Sequence, residues 1–193
     1  MTRPTSEALV KERIVNDLAE HKITLLHSHG MYRHWRCAKP GTRVLWFDIV
    51  TWPGSLCYTG DMGDYLFQRT TDMVAFMRGS AMSYSYAAEK CVAHDGRLKE
   101  WREEVFREQL AYRIEECEDG KRKAAVTKQV ESIISEFETY QSRHDAEKAM
   151  YESGLWDGSD MPSCEDYTFH FLWALHAIKW FCDNVDEAKG QTP

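Results

Sequence analysis

The sequence predicts an α+β protein in which an antiparallel β-meander of four or five strands, at about residues 23–68, packs against a mostly helical C-terminal half. Two observations support this prediction. Between residues 23 and 68, short apolar runs alternate with turn segments such as Pro40-Gly41 and Pro53-Gly54. Such short loops join antiparallel neighbours, because parallel pairing needs a long crossover. From Thr70 onward, apolar residues recur every three or four positions, which is typical of helices.

The length and composition predict one folded domain. The chain has 193 residues, of which 43% are hydrophobic and 12% aromatic, enough for a substantial core. We expect a single domain at residues 1–187, with a sheet-bearing part at about 1–79 and a helical part at about 80–187. Residues 188–193 are predicted to be a disordered tail.

Charge and cysteine spacing argue against several classes of protein. The net charge of −7 and the pI near 5.6 speak against a large basic face, so no direct nucleic-acid binding is expected. The six cysteines form no CxxC pair, which disfavours zinc-finger and thioredoxin-like proteins. The N-terminus has no apolar signal segment, and no apolar run reaches the roughly 18–20 residues that span a bilayer. We therefore expect a cytoplasmic protein without a membrane partner and with reduced thiols.

The strongest strand prediction is Val44–Val50. Its apolar side chains, including Leu45, point to both faces, as in central strands that helices cover on at least one side. Asp48 interrupts one of these faces. The other predicted strands are Ile23–Leu26, Tyr32–Cys37, Leu56–Thr59 and Tyr65–Gln68.

Helical spacing of apolar residues predicts six helices and one long loop. The first helix begins near Ser6, and the last, at about Cys164–Val185, is apolar nearly all round. We expect this last helix to lie across the sheet; the alternative is a homodimer through the 164–185 helix. Glu152–Asp166 is predicted to be a loop. The other helices are predicted near Met73–Met77, from Ser83 to Asp95, within Arg97–Glu118, and at Val126–Tyr140.

Two groups of side chains have the composition of a metal site. His27, His29 and His34 flank the turn at Gly30 and could face one another on a hairpin. The simpler interpretation is that they are polar residues at the tip of a solvated hairpin.

The second group is Asp48, Asp61 and Asp64, which could gather around a divalent ion. Gly60-Asp61-Met62-Gly63 is more simply a turn. Asp48 requires a partner, because a charge within an apolar strand is costly unless it is paired. The candidates for a structural ion pair are Arg33, Arg36 and Arg69.

Other catalytic chemistry has little support in the sequence. There is no GxSxG motif, no phosphate-binding P-loop and no GxGxxG motif. Lys121-Arg122-Lys123 is the one basic cluster, and it is better explained as a surface loop than as a nucleic-acid site. We predict no cofactor, no bound metal and no catalytic residues, and a protein that is more consistent with a non-enzyme.

Binding is the remaining interpretation. The first half of the chain has more aromatic residues than one face of a small sheet needs, and exposed Trp and Tyr anchor interfaces. Acidic segments at Glu115–Asp119 and Asp157–Asp166 could meet a basic protein surface. The alternative is that the aromatics form the core and the acids only solubilise the chain. The predicted binding surface comprises Trp52, Tyr58, Asp61, Asp64, Tyr65, Asp157 and Asp160.

A family resemblance rests on three runs of sequence. These runs are YRHWRCAKPG, FDIVTWPGSLCYTGDMGDYLFQRTTDMVAFMR and, near the end, FHFLWALHAIKWF. Together they cover roughly half the chain, and they resemble an uncharacterised family of bacteriophage- and prophage-encoded accessory proteins. No activity or functional residue comes with the resemblance. It implies a context, the bacterial host cell, in which small phage proteins, anti-CRISPR proteins among them, bind and disable a host factor.

Three functional hypotheses follow from these observations. The first is an anti-defence inhibitor, anti-CRISPR-like or of another kind, that acts through a protein–protein interface with a bacterial host protein or defence complex. The second is a protein that sequesters a nucleotide-like signal, which requires a groove lined by Trp and Tyr. The third is a metal-dependent enzyme, which requires three of the named acids or histidines around one point.

Overall fold

The computed structural model describes residues 5–79, 83–140, 142–157 and 159–188. It confirms the predicted α+β class, with an antiparallel meander and a mostly helical C-terminal half. The chain divides into two compact units. We call the unit whose described residues lie within 4–98 and 167–193 the sheet unit, and the unit whose described residues lie within 99–166 the helical unit. In chain order the elements are α1 (Ser6–Leu18), β1 (Lys22–His29), β2 (Tyr32–Ala38), β3 (Phe47–Trp52), β4 (Ser55–Gly60), β5 (Gly63–Gln68), α2 (Met73–Gly79), α3 (Tyr84–Lys90), β6 (Cys91–His94), β7 (Lys99–Trp101), α4 (Glu103–Glu115), α5 (Gly120–Tyr140), α6 (Arg143–Glu152), β8 (Glu165–Tyr167) and α7 (Phe169–Ala188).

The main sheet has the order β1-β2-β3-β4-β5-β6, and each strand is antiparallel to the next. All five predicted strands are present. The β3–β4 loop is Pro53-Gly54, in which Pro presets a negative φ and Gly54 adopts φ +85°, as a tight two-residue turn requires. At the end of β4, a Cβ on Gly60 would lie 2.7 Å from the Cα of Phe47, so this strand end needs a glycine.

The start of β3 differs from the prediction. The strand begins at Phe47, not at Val44, because Leu45 has a φ of +58°. Two hydrogen bonds accompany this unusual conformation. The Leu45 N–H donates to Asp61 Oδ2 at 2.6 Å, and the Leu45 carbonyl accepts from His21 Nε2 at 2.9 Å. Tertiary contacts therefore overrule the local strand pattern.

The sixth strand was predicted to be part of a helix. The helical pattern from Ser83 holds only to Lys90, and Cys91–His94 then pairs with β5 as β6. The Ser83 hydroxyl accepts from the Tyr86 N–H at 3.3 Å, as predicted for a helix cap. The edge of β5 offers unpaired backbone groups, and satisfying them favours a strand over continued helix.

Helix α7 packs across one face of the sheet, which we call the inner face. Trp173 meets Phe47 edge to face with ring centres 6.1 Å apart, and Phe181 meets Trp35 at 5.0 Å. The helix starts at Phe169, later than predicted, because Glu165–Tyr167 forms β8 and Thr168 caps the helix, accepting from the Phe171 N–H at 3.2 Å. Nine α7 side chains are buried within the chain, namely Phe171, Leu172, Trp173, Ala174, Ala177, Ile178, Phe181, Cys182 and Val185.

The helical unit has its own core. Phe106 of α4 and Phe137 of α5 are buried with ring centres 5.1 Å apart, and Ala149 and Met150 of α6 belong to the same cluster. The sequence pattern did not reveal α6. It starts at a Ser142 cap, whose hydroxyl accepts from the Asp145 N–H at 3.2 Å.

The unit limits fall at residues 98/99 and 166/167, because α3, β6 and α7 belong with the sheet. The single domain at residues 1–187 stays a prediction. Ala188, predicted as the first residue of the disordered tail, is instead the last residue of α7, and residues 189–193 lie outside the described residues. Among the described helices, none is both long and apolar enough to cross a membrane.

Candidate binding surfaces

The sheet face opposite α7, which we call the outer face, is partly open to solvent. The strand register aligns His34, Val50, Cys57 and Leu66 across four neighbouring strands of this face. All four are partly exposed, whereas Ile49, the inner-face neighbour of Val50, is fully buried. The outer face therefore presents an apolar centre to solvent.

Asp48 lies on the outer face and is only 6% exposed. Its carboxylate accepts hydrogen bonds from Arg36, with Nε at 2.5 Å and Nη2 at 2.9 Å, and from His34 Nε2 at 2.9 Å. Burial alone would raise the pKa of Asp48, but the hydrogen bonds from Arg36 and then His34 outweigh it, and the pKa lies below its ordinary value. The guanidinium of Arg36 also stacks over Trp46, with its carbon 4.6 Å from the ring centre. The predicted structural ion pair of Asp48 is confirmed, with Arg36 as the arginine.

Neither predicted metal-ligand group converges on one point. His34 donates to Asp48, His27 lies opposite His34 in the β1–β2 ladder, and His29 lies opposite Tyr32. Across the residues that the structure describes, no group of three His, Cys, Asp or Glu side chains is arranged to hold a metal ion. The metal-enzyme hypothesis required three of these acids or histidines around one point, and the described residues do not show that arrangement.

Asp61 and Asp64 are exposed, and each makes hydrogen bonds within the fold. The Asp61 carboxylate accepts from the Leu45 N–H, as described above. Asp64 accepts from the Thr59 hydroxyl of the opposite strand, and its N–H donates to Asp95 Oδ1 at 3.1 Å. Both aspartates thus help to hold the β4–β5 turn and the strand ends beside it.

Two of the predicted surface aromatics belong to the core. Tyr58 is fully buried and Tyr65 nearly so, and they continue a line of rings from Phe47, with centres 5.2 Å and 5.9 Å apart. Burial raises the pKa of Tyr58, whose hydroxyl makes no hydrogen bond within the described residues. Trp52, by contrast, is partly exposed at the end of β3. The surplus of aromatics therefore mostly fills the inner face.

Arg113 links the first predicted acidic segment, Glu115–Asp119, to the residues that lead into the second, Asp157–Asp166. Arg113, near the end of α4, donates to the Leu155 carbonyl from Nη2 at 2.6 Å and from Nε at 3.0 Å, and to Glu116 at 2.9 Å. This arginine joins the Glu115–Asp119 segment to the segment that carries Asp157 and Asp160, and both of these aspartates are exposed. Sequence reasoning missed Arg113, because nothing in the local pattern links positions 113 and 155.

The charge of the protein is concentrated in the helical unit. Residues 99–166 contain 18 acidic and 10 basic residues, a net charge of −8, whereas residues 4–98 and 167–193 contain 13 of each. The sheet unit is therefore neutral. This asymmetry can be counted from the sequence, but only once the limits of the units are known.

Two surface cavities each lie within one unit. One, of about 530 Å³, lies at the β3–β4 turn and is lined mainly by polar residues, including Gln68, Arg69 and Lys90. The other, of about 470 Å³, lies in the helical unit beside Arg113 and Gln129. Neither is lined by Trp or Tyr, so neither is the aromatic groove that a nucleotide-binding protein would need.

Burial raises the thiol pKa of five of the six cysteines, namely Cys37, Cys57, Cys91, Cys164 and Cys182. All six are free thiols, and burial raises the pKa of Cys57 and raises that of Cys91 to about 11. A thiol with a raised pKa is less often the reactive thiolate at neutral pH.

The fold and these surfaces define an α+β protein with an α7-covered antiparallel meander and an acidic helical unit. Comparison with known proteins adds no closer identification: no family model, no curated protein and no solved structure matches the chain.

Proposed function

We propose that this is a phage or prophage accessory protein that acts by binding and inhibits a bacterial defence component in the host cytoplasm. The observation that supports this proposal best is the concentration of the whole net charge in residues 99–166. An acidic surface of this kind complements a basic one, and it raises the rate of encounter with it. Because defence proteins that act on nucleic acid carry basic surfaces, such a surface is the proposed target.

Exposed aromatics accompany the charge. Tyr112 and Tyr151 are the two large hydrophobic residues of the helical unit whose side chains are mostly exposed within its described part. Tyrosine combines a large contact area with a hydroxyl, and it is enriched among residues that dominate binding energy. The proposed interface therefore combines acidic steering with tyrosine anchors.

The other predicted surfaces contribute less to this proposal. Trp52, Asp61 and Asp64 lie on the sheet unit, where they are open to a partner but are not part of an acidic excess. The homodimer through the 164–185 helix gains no support, because α7 buries nine side chains in its own chain.

The proposal predicts a charge-dependent loss of inhibition. The test variant combines Glu115→Gln, Glu118→Gln and Asp160→Asn, all exposed positions of the helical unit. Expression of the wild-type chain in bacteria that carry a defence system should raise phage plating, and the variant should lose about tenfold or more of that effect, since several complementary charge contacts disappear. Capture of the defence component by the wild-type chain should also weaken as salt is raised.

The matched control neutralises three exposed acids of the sheet unit, Glu12→Gln, Glu20→Gln and Glu89→Gln. It changes the net charge by the same amount and should keep full inhibition. Equal losses in both variants would show that net charge alone matters, and plating that never rises with the wild-type chain across defence systems would refute the inhibitor.

A further inference from the structure

We propose that the protein forms a homodimer in which β1 pairs antiparallel with β1 of a second copy. Strand β1 is one edge of the six-stranded sheet, and its eight residues are nearly all exposed. At about 3.4 Å per residue it presents roughly 27 Å of unpaired backbone donors and acceptors. Another extended backbone can replace water on such an edge and pair with it along its whole length.

The side chains of β1 lack the usual protection of an edge strand. Many natural edges are short, carry Pro or several Lys residues, or contain a bulge, and of these devices β1 has only a bulge. Here the strand has a single Lys, at its first position, and no Pro, and it exposes two adjacent leucines, Leu25 at 46% and Leu26 at 51%. The opposite edge, β6, has only four residues. The long apolar edge is therefore β1.

A bulge in β1 determines the register in which the strand can pair with a second copy of itself. The register with β2 shifts between Leu25 and His27, so Leu26 is the extra residue and the alternation of faces moves by one position. A two-fold axis between Leu25 and Leu26 then places outer-face Thr24 opposite outer-face His27 of the second copy. In a strand without a bulge, odd-numbered and even-numbered residues point to opposite faces. This register would then place an outer-face residue of one copy opposite an inner-face residue of the other.

The rest of this register is consistent with the same axis. Inner-face Ile23 lies opposite inner-face Ser28 of the second copy, and the leucines of both chains meet at the centre. Lys22 is the only formally charged residue of β1 at neutral pH, and in this register it does not oppose its own copy. The sheet unit has no net charge, so electrostatic repulsion between the two sheet units is small.

The occupant that these features select is a second copy of the chain. Pairing of β1 with itself closes after two copies, whereas pairing of β1 with β6 would be limited to four residues and would continue into open chains. The dimer stands independently of the defence partner proposed above.

Mass measurement on the full chain tests the interface. Sedimentation should give about twice the 22.5 kDa of the chain.

The double variant Thr24→Lys/Leu26→Lys places two charges on the β1 edge. It should give a monomer with an unchanged circular dichroism spectrum. The control Val15→Lys/Val44→Lys adds the same charge at exposed positions outside the strands and should remain a dimer. A monomeric wild-type chain at all concentrations, growth into larger assemblies, or an unchanged dimer in the β1 variant would each overturn the proposal.

A pair of single cysteine variants tests the register without charge at the edge. Opposed residues of antiparallel strands have Cα atoms about 4.5–5.5 Å apart, within the range of a disulfide. A mixture of Thr24→Cys and His27→Cys chains should form a disulfide-linked dimer on oxidation. Each variant alone, and the parent chain with its native cysteines, should give much less. Equal cross-linking in the mixture and in the single variants would overturn the register.

Discussion

Asp48 shows how a single residue was predicted from an energetic requirement. A carboxylate within an apolar strand needs a partner, and three arginines of the sheet region were candidates. The register decided among them, because Arg36 lies directly opposite Asp48 on the outer face. Arg33 instead reaches Asp72 at 3.1 Å and the Thr51 hydroxyl at 3.2 Å.

Replacing Asp48 with Asn should destabilise the protein by about 2 kcal/mol at pH 7, because Arg36 and His34 lose their charged acceptor. The fold lowers the pKa of Asp48. The stabilisation is therefore present above the ordinary carboxyl pKa, about 3.9, and is lost as the pH falls through the folded value. Urea unfolding of both chains from pH 7 to pH 3 measures the difference, which should shrink below about pH 4.

The Arg36→Gln variant, alone and combined with Asp48→Asn, tests whether the ion pair accounts for this loss of stability. If the ion pair carries the effect, the double variant should be less destabilised than the sum of the single variants. Additive losses, or an Asp48→Asn chain as stable as the wild type at pH 7, would contradict the role assigned to the pair.

At the scale of elements, the strands were predictable and several ends were not. The five strands were visible from short apolar runs between turn residues. The start of β3 was not, because the left-handed Leu45 depends on Asp61, sixteen positions away. The change from α3 to β6 likewise depends on the edge of β5. These contacts are between distant positions, and local periodicity carries no information about them.

The hydrogen bond from the Leu45 N–H to Asp61, just before β3, can be tested by mutation. Asp61→Ala removes the acceptor of the Leu45 N–H and should cost about 1 kcal/mol of unfolding free energy, the usual effect of losing such a hydrogen bond. Asp61→Asn keeps a side-chain oxygen and should cost distinctly less. Denaturant unfolding of the two variants compares them directly, and equal stabilities would show that this hydrogen bond contributes little.

At the scale of the whole molecule, the described residues form two hydrophobic clusters. One is centred on α7 and the inner face of the sheet, and the other on α4, α5 and α6. Each cluster contains buried phenylalanine side chains. Phe67, in the first cluster, is fully buried, and Phe137, in the second, is nearly so. The same division separates the neutral part of the chain from the acidic part.

Core substitutions should therefore have local effects. Phe137→Ala should destabilise the helical unit by about 3–5 kcal/mol through cavity formation, and Phe67→Ala should do the same in the sheet unit. Hydrogen exchange followed by mass spectrometry on the full chain reports each unit separately. Phe137→Ala should speed exchange in α4–α6 with little change in β3–β5, and Phe67→Ala should show the reverse. Exchange that rises equally in both units would indicate one cooperative core.

Local pattern was sufficient for the α+β class and the meander, because these follow from apolar spacing and turn residues close together in the chain. The same pattern predicted an apolar last helix, but it left open whether this helix is covered by its own chain or by a second copy. The sequence narrowed the partner of Asp48 to three arginines, but it did not decide which of them forms the ion pair. Tertiary structure alone decided that Tyr58 and Tyr65 are core residues, that Arg113 joins two acidic segments, and that the net charge falls entirely in one unit. The physical reason is the same in each case: which face of a strand is covered, and which distant segments meet, depend on packing between positions that no local pattern connects.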